Sequence, residues 1–134
     1  MTKLELINKS LLPYLTGKKP LGIIQIGSQK TVRCRYYNAE TKASCAIGQW
    51  LKEPERFTGM LGSAPAFFQQ YLPNDVLQTE VQNILTVEEW GCVQQIHDSY
   101  AMETVQLSII LELEESIGEP LTEIRAILDG KIEE

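Results

Sequence analysis

Histidine occurs once in this 134-residue chain, as His97, and cysteine three times, as Cys34, Cys45 and Cys92. Together these four have the ligand types of a zinc site, but no Cys-x-x-Cys pair exists. Cys92 and His97 stand five residues apart, about 140° around a helix. No metal is expected. An odd, sparse cysteine count also argues against a disulfide framework and for reduced thiols in a cytoplasm. No apolar run approaches the ~18–20 residues that span a bilayer. The opening MTKLELINKS lacks the unbroken apolar core of a signal peptide. The expected location is therefore cytoplasmic, with no membrane partner. A Walker loop, a dinucleotide fingerprint, a carboxylate metal box and a serine-hydrolase elbow are all missing, so no cofactor is expected. Internal repeats and linker-like composition shifts are absent too, and residues 1–134 read as one domain.

What is present is the composition of a soluble folded chain. Hydrophobic residues make up 43% and charged residues 22%, which excludes a disordered or collagen-like protein. The net charge of −6 conceals a division. Residues 1–67 carry ten Lys/Arg against four Asp/Glu, a balance of +6, whereas residues 68–134 carry two against fourteen, a balance of −12. Either the halves fold against each other and their fields partly cancel, or each presents its own charged surface.

Along the chain, Leu4, Ile7 and Leu11 recur at helical spacing, which predicts a helix from Lys3 to Leu12. Pro13 is expected to end or kink it. Leu21–Ile26 and Thr31–Tyr37, separated by Gly27 and Ser28, predict an antiparallel hairpin near residues 21–37. Its alternation puts Val32, Cys34 and Tyr36 inward and Thr31, Arg33, Arg35 and Tyr37 outward. Ser44 has the chemistry to cap a helix over Cys45–Leu51. A long Gly- and Pro-rich loop follows from Glu53 to Pro65, then an apolar piece at Ala66–Leu72 and a helix at Val76–Leu85. Thr86-Val-Glu-Glu89 is a capping-box pattern that opens the clearest helix, with Trp90, Val93, Ile96, His97 and Tyr100 along its apolar side. Thr104–Ile117 and Thr122–Leu128 predict two more helices, the former closed by Gly118, before an acidic tail. The predicted fold class is α+β, mostly helical with one small antiparallel sheet.

Three groups of residues carry candidate chemistry. Cys45, in the first turn of its helix, would feel the positive end of the macrodipole and gain thiolate character, with His97 as its base. Asp98 follows His97, but neighbouring helix residues point ~100° apart, so Asp98 is not expected to face the imidazole. As a second group, Arg33 and Arg35 project beside Tyr37, with Lys18, Lys19, Lys30 and Lys42 in flanking loops, a set suited to a phosphate and a stacked ring. Dispersed cations on an acidic chain do not make a nucleic-acid binder, so direct nucleic-acid binding is not expected. The third group is Glu112, Glu114, Glu115, Glu119 and Glu123, which crowd the last two helices and can offer a negative face to a basic partner.

Cys34-Arg-Tyr-Tyr37, a polar turn, Ser44-Cys-Ala-Ile-Gly-Gln-Trp-Leu51 and Val93-Gln-Gln-Ile-His-Asp98 together resemble a family of small uncharacterised bacteriophage and prophage proteins. Its members show a Cys-Ala-x-Gly helix start and a Leu-Gln-x-x-His-Asp helix. The likeness covers residues 30–52 and 88–100, about a quarter of the chain, and departs from the family's usual Pro-containing stretch after the Cys-Ala-x-Gly helix. It implies the cytoplasm of a bacterial host but no reaction. It also groups Cys45, Gly48, His97 and Asp98 as one constellation, either chemical or a structural keystone with His97 bonded to the backbone of the Cys45 helix.

Two functions follow as expectations. The first is a non-enzymatic interaction protein that binds a host protein or complex through Glu112, Glu115 and Glu119, for instance as an inhibitor of a CRISPR or other defence complex. The second is a small thiolate enzyme built on Cys45 and His97, or a domain for an anionic, nucleotide-like ligand held by Arg33, Arg35, Tyr37 and Lys42. A homo-oligomer is compatible with either.

Overall fold

In the computed structural model, residues 1–25 and 32–134 are described, without the side chains of residues 24–33. The turn at Gly27 and Ser28, Thr31, Lys30 and the side chain of Arg33 lie outside that description.

Helix α1 (Lys3–Leu15) starts at a Thr2 cap: the Thr2 hydroxyl accepts from the Glu5 amide, and the Glu5 carboxylate accepts from the Thr2 amide. The helix runs two residues past Pro13, so of the two expected outcomes, an end or a kink, it does not end there. Proline removes a bond to the carbonyl of Lys9, and Lys9 is exposed, so water can satisfy that carbonyl. Leu6, Ile7, Ser10, Leu11, Tyr14 and Leu15 form its buried face.

Strands β1 (Ile23–Gln25) and β2 (Val32–Cys34) pair antiparallel, with Ile23 opposite Cys34. The expectation of a single, antiparallel sheet needs correction. A second two-stranded sheet joins β3 (Val105–Gln106) to β4 (Ile132–Glu133), and its strands run parallel. The expected acidic tail therefore turns back on Gly130, at positive φ, and pairs, with Ile132 packed against the core.

The middle of the chain departs most from expectation. Residues 45–51 form turns and a single 3-10 turn at Gly48–Trp50, not a helix capped by Ser44; that turn has no side-chain cap. Helix α2 (Ala64–Gln70) is capped by Ser63. The stretch expected to be helical from Val76 to Leu85 gives only the end of α3 (Pro73–Val76) and a 3-10 turn at Thr79–Val81. The reason is tertiary pairing. Leu77 bridges Leu51, the Lys52 amide donates to the Val76 carbonyl, and the Gln78 amide donates to the Trp50 carbonyl. An extended chain at residues 77–78 is needed to make those bonds.

Helix α4 (Val87–Ala101) is the centre of the molecule. Its Thr86–Glu89 capping box forms as the sequence indicates. It packs against α1, α2, β2 and α5 (Leu107–Ile117). Trp90, Val93, Ile96 and His97 have no exposed surface, whereas Tyr100 is half-buried. Gly118 closes α5 in the left-handed conformation, and α6 (Thr122–Ile127) packs on α1. Among the described residues the chain is mostly helical with two small sheets.

Candidate functional site

The Cys45–His97 constellation forms, and its hydrogen bonds define its role. The Gly22 amide donates to His97 Nε2 at 3.1 Å, and His97 Nδ1 lies 2.8 Å from Asp98 Oδ1. A backbone amide can only donate, so Nε2 carries the lone pair and Nδ1 the hydrogen, which goes to Asp98. The expectation that Asp98 cannot face His97 is thus overturned. Nδ1 sits next to Cβ, so a carboxylate one residue along still reaches it. With both nitrogens engaged and no exposed surface, the imidazole has no lone pair left to take a proton from Cys45.

Cys45 is held just as firmly. Its Sγ accepts from the Gly48 amide at 3.3 Å. The Tyr14 hydroxyl donates to the carbonyls of Ser44 (2.6 Å) and Cys45 (3.0 Å), and the Tyr14 ring stands edge-on to His97 at 4.7 Å. A Cβ at Gly22 would collide with the Cys45 amide nitrogen, and one at Gly48 with the Tyr36 carbonyl. The Cys-Ala-x-Gly motif is thereby explained as a close backbone crossing rather than a helix start. Trp50 Nε1 donates to Ser10 Oγ, and Gln49 Nε2 to the Ser10 and Ala46 carbonyls, bolting this segment to α1.

The other thiols are poor nucleophiles. Burial, reinforced by the neighbouring Cys45, pushes the Cys34 thiol far above its ordinary range. Burial and the Glu112 carboxylate push Cys92 up to about 12; its Sγ donates to Glu112 Oε2 at 3.2 Å. Cys92 therefore faces α5, not the other two thiols. Among the described residues no group of three or more His, Cys, Asp and Glu is placed to hold a metal.

The expected cationic residues divide between two adjoining clefts at the end of α1. One, of about 340 Å³, is lined by Lys19, Lys42, Tyr14, Tyr37, Ser44 and Gln49, among others. The other, about 210 Å³, holds Arg35 and Asn38. Pro20, Thr41 and Ala43 wall both. Neither cleft has a carboxylate among its described lining residues. Arg33 lies on β2, next along the chain to this region, but its side chain is outside the description.

The acidic residues form a second surface. A groove of about 460 Å³ between α2 and α4 is lined by Glu88, Asp98, Glu112, Cys92, Gln94 and Gln95, among others. Through Glu112 it adjoins a shallower groove of about 470 Å³ on α5, bounded by Ser108, Ile109, Leu111, Glu112 and Glu115. No Lys or Arg lines either groove among the described residues. Leu111, which lines the shallower groove, is 49% exposed. Glu119, expected on the same face, is exposed beyond the Gly118 cap and lines neither groove. Glu114 turns the other way: both its oxygens take the Arg125 guanidinium, at 2.6 and 2.8 Å, and one also accepts from the Leu121 amide.

No family model, curated protein or solved structure matches the chain.

Several site residues escaped the sequence reading. Glu88, on another helix, faces the same groove as Glu112, and so does Asp98, which the sequence groups with His97 rather than with the acidic face. Tyr14 lies on the apolar stripe of α1, seven residues beyond Ile7, and nothing local to it signals its bonds to the Ser44 and Cys45 carbonyls. The buried Glu89, clamped by Lys3, the Thr86 amide and Ser116, had a visible signal in its capping box but none for its long-range partners.

Proposed function

We infer that this protein acts by binding, without turnover, and that the two grooves meeting at Glu112 are its docking surface for a basic segment of another protein. The observation that carries this is four carboxylates in two grooves that share Glu112: Glu88, Asp98 and Glu112 line one, and Glu112 and Glu115 line the other beside an exposed Leu111, with no cation lining either among the described residues. Among the described residues a single ion pair, Lys3–Glu89, joins the basic and acidic halves. This favours separate charged surfaces over mutual cancellation. A Lys- or Arg-bearing helix or loop with one apolar side chain has the matching chemistry: the charges steer its approach and Leu111 provides an apolar anchor. The engagement of both His97 nitrogens speaks against the thiolate-enzyme reading. In the bacterial-virus setting that the sequence resemblance implies, such a partner is a component of a host complex, for instance a defence complex that the protein inhibits.

A synthetic amphipathic peptide with lysines on one face and leucines on the other is the probe. Its affinity should fall at least ~10-fold, a loss of ~1.4 kcal/mol, for Glu112→Lys/Glu115→Lys. An equal charge change at exposed sites outside the grooves, Glu123→Lys/Asp129→Lys, should alter it little. Equal loss in both variants would mean the peptide reads only net charge, and the proposed surface would be wrong.

A further inference from the structure

We propose that the paired clefts at the end of α1 bind a small phosphorylated molecule with a planar ring, a ligand independent of the protein docked on the acidic grooves. A chain of net charge −6 here concentrates cations. Lys19 and Lys42 line the larger cleft with Tyr14 and Tyr37, and Arg35 opens into the smaller one across the shared wall of Pro20, Thr41 and Ala43. No carboxylate lines either cleft among the described residues to neutralise them. Lys19 Nζ is positioned rather than loose: it donates to Gln49 Oε1 at 2.9 Å and lies 5.8 Å from the centre of the Tyr14 ring. Lys42 makes no ion pair or side-chain hydrogen bond with another described residue and sits in the left-handed conformation at φ 62, which fixes where its side chain departs from the 38–44 turn. Arg35 Nε is buried without an acceptor, and an unanswered donor of a guanidinium is costly.

These features select the ligand class. Ammonium groups within one cleft suit the spread charge of a phosphate group. The half-buried Tyr37 supplies a ring contact for the remainder of the molecule. The volume of about 340 Å³ lies at the lower end of small-ligand sites, which start near ~300 Å³. A mononucleotide is of that size and carries both chemistries.

Calorimetric titration of the full chain with AMP, adenosine, inorganic phosphate and citrate tests this. AMP should bind, adenosine and inorganic phosphate should each bind at least ~10-fold more weakly, and citrate should not compete with AMP. Lys19→Ala/Lys42→Asn should weaken AMP at least ~10-fold while leaving the melting temperature nearly unchanged, since both lysines are exposed. Asparagine tolerates the left-handed backbone at position 42. No AMP binding at about 10 mM, near the weak limit of specific association, would overturn the proposal. So would citrate matching AMP, adenosine or phosphate binding as tightly as AMP, or a double variant that binds like the parent. The acidic-groove variant Glu112→Lys/Glu115→Lys should keep AMP binding, which separates this site from the docking surface.

Discussion

At the residue scale, His97 and Cys45 show how a pair that reads as catalytic can serve the fold. His97 joins α4 to the chain at Gly22, and Gly22 in turn lies on the Cys45 backbone. His97→Phe should cost about 2–4 kcal/mol, because it leaves the Gly22 amide buried without an acceptor. Binding by the folded fraction should be unchanged, as read from peptide affinity corrected for the unfolded population. Gly48→Ala should cost about 3 kcal/mol or more in urea denaturation, since the added methyl meets a carbonyl that cannot move aside. The presence of Cys45, Gly48 and His97 near one another was legible in the sequence. Their chemistry was not, because it depends on which atom occupies the Nε2 lone pair, and that atom is supplied from residue 22.

At the element scale, Glu89 ties together three helices. Its carboxylate accepts from Lys3 on α1, the Thr86 amide at the start of α4, and Ser116 on α5. Burial alone would raise its pKa, but the bonds from Ser116, Thr86 and Lys3 together outweigh burial and hold it below the usual glutamate range. A carboxyl with a lowered folded pKa stabilises the protein above its unfolded value, ~4.3, and that contribution disappears as pH falls through the lower folded value. Glu89→Gln should therefore be less stable than the parent by roughly 2–3 kcal/mol at pH 7, with the gap closing below about pH 4. Denaturation curves across pH 3–7 check both the size and the sign.

The elements themselves were unevenly legible. Helix α4 was readable because Thr86 and Glu89 cap it locally and its apolar stripe, Trp90 to Tyr100, persists for about three turns. The Thr2-Lys-Leu-Glu5 pattern carries the same signature at α1 and was open to the same reading. Residues 45–51 and 77–85 misled because their helical spacing is real, but tertiary pairing across Leu51 and Leu77 wins over propensity. The β3–β4 pair gave no signal. Two residues are too few to show alternation, and their partner lies far along the chain.

At the scale of the whole molecule, the +6 and −12 halves are joined among the described residues by a single ion pair, Lys3–Glu89, which supports the proposal that they act as separate surfaces. The separation has a kinetic consequence. Association of a basic peptide with the Glu112 grooves should slow steeply as salt rises, because the Debye length shrinks to ~8 Å at 0.15 M. Stopped-flow association rates between low and physiological salt measure this, and Glu112→Lys/Glu115→Lys should flatten the dependence. No helix among the described residues is long and apolar enough to cross a membrane.

The most direct measurement is a map of where such a peptide sits. Amide chemical shifts of the isotope-labelled protein, followed during titration with the lysine–leucine peptide at 0.15 M salt, report the contact surface residue by residue. The expected pattern is a contiguous set of shifts at Gly91, Cys92, Gln95 and Asp98 on α4 and at Leu111, Glu112 and Glu115 on α5, with Gly22, Cys45 and Gly48 unmoved. Shifts scattered over every exposed acidic residue, or centred on Glu123, Asp129 and the chain end, would contradict a docking surface at the Glu112 grooves.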